Sequence, residues 1–252
     1  TPNHARALLP GLGFNVKALP ILSVFGGVHK GFAPPSASLY QKAESSVNVE
    51  MGMRLTTNKM KLEAIAFNNN YSNMLGSDLA AQGGQGTLEQ FNVGKAMVNG
   101  LELMFQYLPL PKHFAFQLPI QLSYTYTNTQ MKNDFESSAW GHVHYGDEIP
   151  YIYKHAFNAQ ISLEHKRVEA NFGARFNGDM RTTPGQGKIA EREKIPAHVI
   201  LDASLKVHVN KNITISLNGI NLANKKYLVS RHPSGLRAGH PLGVYGGLRL
   251  QL

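Results

Sequence analysis

Two histidines at alternate positions, His142 and His144, flank Val143. Alternate residues of an extended segment share one face, so the pair can begin a metal site. A complete site needs three or four converging ligands, and a solvent-exposed pair is the other reading. The chain has no cysteine, which excludes thiolate ligands and disulfides. A second group of side chains is cationic: Arg181, Lys188, Arg192, Arg231, His232, Arg237 and His240. A guanidinium donates two parallel hydrogen bonds and so matches a carboxylate or a phosphate. Plain solvation is the alternative for each. No G-x-S-x-G, phosphate-binding loop or H-E-x-x-H is present, and the expectation is that the protein is not an enzyme.

The net charge is +9, from 25 Lys and Arg against 16 Asp and Glu in 252 residues. A basic balance of this size favours anionic partners. The cations are scattered, with no run of five and no basic helix, so a nucleic-acid partner is not expected. No stretch of 18 apolar residues could form a membrane-spanning helix.

The elements that position these side chains alternate with a period of two. Leu201, Ala203, Leu205, Val207 and Val209 alternate without error with Asp202, Ser204, Lys206 and His208. The same pattern marks Phe157–Glu164, Val168–Phe176, Leu118–Thr127, Ile213–Asn218 and Val244–Leu252. Each reads as a strand with one apolar and one polar face. Leu62–Tyr71 is also strand-like, with either phase open. Eleven strands are expected, at about 7–17, 22–32, 45–56, 60–72, 92–108, 114–129, 151–165, 167–178, 195–209, 212–229 and 242–252.

Short and long connections alternate strictly along the chain, and the long ones are polar and glycine-rich. A transmembrane barrel has this rhythm, with tight periplasmic turns and long outer loops. A soluble β-sandwich also alternates, but its strands have a mode of about 5 to 6 residues and its polar faces carry more charge. Here the polar faces are mostly Asn, Gln, Ser and Thr, which suits a confined wet lumen. The expected fold is therefore all-β, an antiparallel transmembrane β-barrel. Eleven antiparallel strands cannot close on themselves. Residues 1–252 are expected to be the C-terminal half of a barrel of about 22 strands, with its first strands and any internal domain absent. Trp140, Tyr145, Tyr151 and Tyr153 can line a ligand vestibule or an aromatic girdle, the girdle being expected for Tyr151 and Tyr153. Gly26, Gly27, Gly31, Gly219, Gly246 and Gly247 lie inside strands and mark bends or the close approach of another backbone.

Five stretches carry a family likeness. They are Val24-Phe25-Gly26-Gly27-Val28-His29-Lys30-Gly31-Phe32-Ala33-Pro34-Pro35-Ser36, Val49–Arg54 (E-x-G-x-R), Phe67–Asn73 (F-x-N-x-Y-x-N), Asn99–Glu102 (x-G-x-E) and Asn218–Tyr227. In order and spacing they resemble the barrel of TonB-dependent outer-membrane receptors, across essentially the whole chain. The first is most similar to iron(III)-dicitrate-type receptors. The resemblance implies an outer-membrane location, uptake of a ferric chelate (iron(III) citrate or a siderophore), a plug inside the barrel, and an N-terminal segment grasped by TonB with ExbB and ExbD as energy source. No cofactor is implied, because the metal arrives wrapped in its chelator. The seven cations then become candidate contacts for an anionic chelate, with lipopolysaccharide phosphates as the competing partner. Receptors for nickel, haem or cobalamin complexes share the pattern. Two further readings stand beside it: a passive porin or adhesin-like barrel, and a soluble β-rich binding protein. One departure is Leu252, where the family ends in an aromatic residue.

Overall fold

The computed structural model describes residues 6–34, 42–77, 90–111, 113–137, 140–231 and 235–251. His232 and Leu252 lie outside them. The strands in chain order are β1 (Gly11–Leu19), β2 (Leu22–Ala33), β3 (Glu44–Thr56), β4 (Met60–Ser77), β5 (Gln90–Tyr107), β6 (Phe116–Gln117), β7 (Ile120–Met131), β8 (Phe135–Ser137) and β9 (Gly141–Val143). They continue as β10 (His155–His165), β11 (Val168–Asn177), β12 (Met180–Arg181), β13 (Lys194–Ile195), β14 (His198–His208), β15 (Ile213–Ile220), β16 (Leu228–Ser230), β17 (Arg237–Ala238) and β18 (Gly243–Leu250).

Eleven of them form one antiparallel wall in the order β1-β2-β3-β4-β5-β7-β10-β11-β14-β15-β18, with β6 pairing β10 alongside β7. Among the described residues β1 pairs only β2, and β18 only β15. The wall is a meander, so each hairpin sets the register of the next. That register keeps like with like. Ile161 faces Phe172 across β10 and β11, Phe172 faces Ala203, Ala203 faces Gly219, and Gly219 faces Val244. On the other face Ser162 opposes Asn171, which opposes Ser204, which opposes Asn218. A slip of one residue would invert every pair, so a two-faced wall specifies its register strongly.

The apolar face points away from the protein. Leu12 is 78%, Leu248 65% and Leu250 63% exposed. A soluble sheet hides such residues, whereas a barrel wall turns them to lipid. The open phase of Leu62–Tyr71 is settled by pairing. Leu62, Ala64 and Ala66 oppose Leu55, Met53 and Met51 on the outer face, which leaves Ile65, Phe67 and Tyr71 inward.

Several expected boundaries move. The first strand begins at Gly11 and runs to Leu19, and the seventh wall strand begins at His155 rather than Tyr151. The tenth ends at Ile220 rather than near 229, because Asn221 takes a left-handed backbone with φ 50°. Its buried side chain donates to the carbonyls of Lys225 and His240 and accepts from the Lys225 amide, each at 2.9 Å. Asparagine tolerates this conformation and replaces the lost ladder with side-chain bonds. Two lumen glycines outside the expected set allow close approach. A Cβ on Gly52 would meet the Phe25 ring at 2.6 Å, and one on Gly100 the Phe67 ring at 2.7 Å. Each ring lies over the glycine opposite it in the next strand.

Candidate functional site

Three of the long connections carry small ribbons at one end of the wall among the described residues, β8–β9, β12–β13 and β16–β17. A cluster of buried apolar side chains lies here, where the loops meet the upper wall. Val93, Ala96, Met131, Val143 and Ile149 are fully or almost fully buried, with Tyr71, Met74, Phe135, Trp140 and Ile152 packed around them. Ala96 opposes both Tyr71 and Met131, so this packing sits on the lumen face of the upper β4, β5 and β7. Residues 140–152 fold inward onto it, and the Ile149 amide donates to Thr129 Oγ1 at 2.9 Å.

Two arginines fasten the loops to one another. Arg181, 5% exposed, ends β12. Its Nε donates to Glu148 at 2.8 Å and its Nη2 to the Gly187 carbonyl at 3.0 Å, while its own carbonyl accepts from the Tyr151 amide. Arg231 donates from Nε to the Lys194 carbonyl at 2.8 Å and from Nη2 to the Glu191 carbonyl at 3.0 Å. Its amide reaches the Tyr151 hydroxyl at 3.4 Å. The described residues of 132–154, 178–197 and 221–242 thus form one layer. Tyr151 is a joint of that layer, at φ 61° and half-buried, and Tyr153 packs edge-on against His198. This corrects their expected place in the girdle. Aromatic groups on the outer face near this rim include Tyr124, Tyr126, His155 and Phe157, with the Tyr124 hydroxyl 2.8 Å from His155 Nδ1.

Burial pushes the Tyr153 hydroxyl above its ordinary range, helped by the neighbouring Tyr227. The Tyr227 ring lies 4.7 Å from that of His198, whose Nδ1 is 3.1 Å from the Pro196 carbonyl. These rings close the base of the layer above β11 and β14.

The cations fall into two groups. Lys188, Lys194 and Arg231 all act on Glu191, whose carboxyl is held below its usual range first by the hydrogen bond from Lys194 and then by Coulomb attraction. One carboxylate among three cations leaves the spot net positive. Arg192 extends from the same turn, 86% exposed, with Glu193 at 3.4 Å. Arg237 stands on β17 opposite Ser230, one residue from Arg231, and is exposed. His240 is apart from them, at the rim, with Nε2 2.9 Å from the Tyr245 hydroxyl. Lys194 was not among the expected cations. Its signal was the alternating run Glu191-Arg192-Glu193-Lys194, which sets Glu191 and Lys194 three residues apart. His142 pairs with Glu136 at 3.3 Å on the β8–β9 ribbon, His144 is exposed beside it, and no group of three or more possible metal ligands converges among the described residues.

Below the layer the inner face of the wall has two characters. On β3 to β5 it carries Glu50, Arg54, Glu63 and Glu102, with Arg54 paired to Glu63 and lying 5.2 Å over the Phe25 ring. From β7 to β15 it is a trough of about 770 Å³ lined by Gln121, Ser123, Asn158, Gln160, Asn171 and Ser204 among others. Its side chains bond to one another, Ser162 to Asn171 at 2.6 Å and Asn171 to Ser204 at 3.2 Å.

The family model for the TonB dependent receptor-like β-barrel matches residues 1–222. A curated relative, the "Probable TonB-dependent siderophore receptor PiuA" of Acinetobacter baumannii, is 27% identical over 149 residues, which are 57% of this chain and 19% of that protein. The ferric citrate transporter FecA in its unliganded form superposes with a TM-score of 0.74 at 18% identity, over 96% of this chain and 38% of its own. The ferric-catecholate import receptor Fiu of E. coli K12 superposes at 0.70 with 20% identity, over 95% and 34%. The chain therefore spans about a fifth of the length of the curated relative and about a third of each structure. The antiparallel strand wall agrees with that match, and the chain belongs to the TonB-dependent receptor-like β-barrel family of the bacterial outer membrane.

Proposed function

We propose that the chain is the C-terminal part of the barrel of an energised receptor for an anionic ferric chelate, with carboxylate-rich chelates such as iron(III) citrate as the preferred class. The carrying observation is the positive spot of Lys188, Lys194 and Arg231, with Arg237 beside it, in a loop layer fixed by its own hydrogen bonds. A layer that is already ordered loses little entropy when it receives a ligand. Guanidinium groups match the planar, two-oxygen geometry of a carboxylate with two parallel hydrogen bonds. Arg181 acts in this reading as the strut beneath the spot. Lys188, Arg192, Arg231, His232, Arg237 and His240 remain the candidate contacts.

The plug, the first strands, and the segment that meets TonB and through it ExbB and ExbD belong in this reading to sequence N-terminal to residue 1. The share of each structural neighbour that is covered and the single partner of β1 and of β18 support it. Open backbone edges are not tolerated in lipid, where each unsatisfied group costs several kcal/mol. Residues 1–252 alone should then aggregate or pair edge to edge on refolding in detergent, and a compact heat-resistant monomer would overturn this assignment.

The ligand class is tested by titrating the intact receptor with iron(III) citrate and with a ferric catecholate. Arg231→Ala with Arg237→Ala should weaken iron(III) citrate and leave the outer-membrane level normal. Equal affinity in the double variant would remove this ribbon from the site, and tighter binding of the catecholate would replace the ligand class. A passive porin predicts instead diffusion that ignores deletion of TonB.

A further inference from the structure

The outer face of the wall is not evenly filled. Phe172, Ala203, Gly219 and Val244 form one row across β11, β14, β15 and β18. Two small residues at its centre make a floor. Below it Leu205 opposes Leu217, and above it Leu222 leans over Gly219. The result is an apolar groove of about 600 Å³ that rises from Leu118, near the short-turn end, to Leu222 and Val244 at the long-loop end. A groove one side chain deep in a lipid-facing wall is filled by hydrocarbon, because an empty one forfeits dispersion contacts on its lining.

Charge at the upper end selects the occupant. The chain leaves the groove at Leu222 and reaches Lys225 and Lys226 three and four residues later. Asn221 clamps the Lys225 backbone by its amide and its carbonyl, at the loop end of β15. Both lysines are exposed, and neither has a carboxylate partner among the described residues. Nothing in the uptake reading uses them.

We propose that this groove holds one acyl chain of a phosphorylated lipid of the outer leaflet, with its phosphate on Lys225 and Lys226. The site rests on the membrane-wall reading and is independent of the chelate. Lysine suits a lipid phosphate as a compact point charge, and near an anionic surface each contributes roughly fivefold in affinity. The groove supplies the selectivity for a chain-bearing phosphate over the free anion.

The test uses the intact receptor, stripped of lipid in detergent, with lipid A as probe and its thermal midpoint and native mass as readouts. A saturable rise in midpoint and a bound stoichiometry of one are expected. Lys225→Gln with Lys226→Gln should weaken lipid A about thirtyfold, from the two lysines together. Dephosphorylated lipid A should bind equally to wild type and to this variant. Ala203→Leu, which fills the floor and leaves the lysines in place, should lose the bound lipid while melting as wild type without it. Lys166→Gln with Arg167→Gln, at the opposite end of the wall, should change nothing. Undiminished binding by the lysine pair or by Ala203→Leu overturns the site. So does dependence on Lys166 and Arg167, which would place the lipid in the other leaflet, or a dimer that Ala203→Leu dissociates, which would make a second copy the occupant. Normal chelate titration in all these variants keeps this outcome separate from that of the proposed uptake.

Discussion

The wall and the loop layer solve opposite problems. In the wall the apolar side chains of the outer face are exposed, while Asn171, Ser162 and Ser204 bond to one another on the inner face. In the loop layer and on the upper wall face beneath it Val93, Met131, Val143 and Ile195 are buried to 1% or less, and the charged tips are exposed. The same side-chain chemistry is read by two solvents. The wall gains little from packing its apolar residues against lipid and holds its shape by register and backbone pairing. The layer sits in water, has a small core, and must fasten its loops with buried polar side chains. Damage should therefore act differently in the two regions, uniformly along the wall by face, and at single residues in the layer.

The largest effect is expected where the wall meets lipid. Phe172, in the middle of β11, is exposed on the outer face. Phe172→Arg should cost roughly 2–4 kcal/mol, the range for a charge on the lipid face near the midplane. Lys206→Gln, on the inner face at the same wall, should be close to neutral. Equilibrium unfolding of the intact receptor in lipid vesicles checks the pair, and the reverse order would sink the assignment of faces.

Next comes the buried strut of the layer. Arg181→Met keeps most of the volume but strands the half-buried Glu148 carboxylate and the Gly187 carbonyl. A lost hydrogen bond to a charged group costs about 1.5–3 kcal/mol. Lys154, 3.6 Å from Glu148, retains part of the compensation. The loss should appear as faster amide exchange in 145–151 and 181–187 with the wall unchanged. Global destabilisation without local opening would mean that wall and layer unfold as one unit, which removes the contrast drawn above.

A smaller effect is expected at the seam between the two regions. Asn221→Ala removes three side-chain bonds at a left-handed residue and should cost about 1–3 kcal/mol. Asn221→Gly should recover the backbone part but not the bonds. Limited proteolysis within 221–242 gives the ranking, with wild type slowest and Ala fastest. Ala and Gly cut equally fast would show that the backbone conformation is of no consequence there.

Most of the wall was legible because a period of two survives any local ambiguity, and a hairpin meander leaves no choice of strand order. Leu62–Tyr71 was open because Ile65, Phe67 and Tyr71 put large residues on the lumen face, where Gly52 and Gly100 make room for two of the rings nearby. Only the neighbour's register resolves this. The end of β15 was missed because apolar residues, Leu222 and Tyr227 among them, go on past a residue that has already turned. In the loops, residue type revealed candidate cations but not their company. Arg181 and Arg231 look identical to Arg192 in sequence, yet two of them are engaged with carbonyls and carboxylate from distant segments. Such partners lie 33 to 40 residues away, which no local pattern encodes.

The smallest effect concerns Glu191, which sits between the cations of the proposed site. Its carboxyl is fully exposed and held below the ordinary value of 4.5, so its folded-state pKa lies under the unfolded one. The attraction it supplies to the turn is thus complete above the ordinary carboxylate range and is lost as pH falls through the lowered value. While charged it also competes with an anionic ligand for Lys188, Lys194 and Arg231. Glu191→Gln should then tighten iron(III) citrate roughly twofold to fivefold at neutral pH, the scale of one exposed charge pair. Acidification protonates Glu191 in the wild type and makes it resemble the variant, so the gap between the two should close as pH drops below the carboxylate range, whatever the protonation of the ligand does to both. A gap that persists unchanged at low pH would assign the effect to the shape of the side chain and not to its charge. A loss of affinity in Glu191→Gln would mean that the carboxylate positions Lys194 for the ligand and does not compete with it.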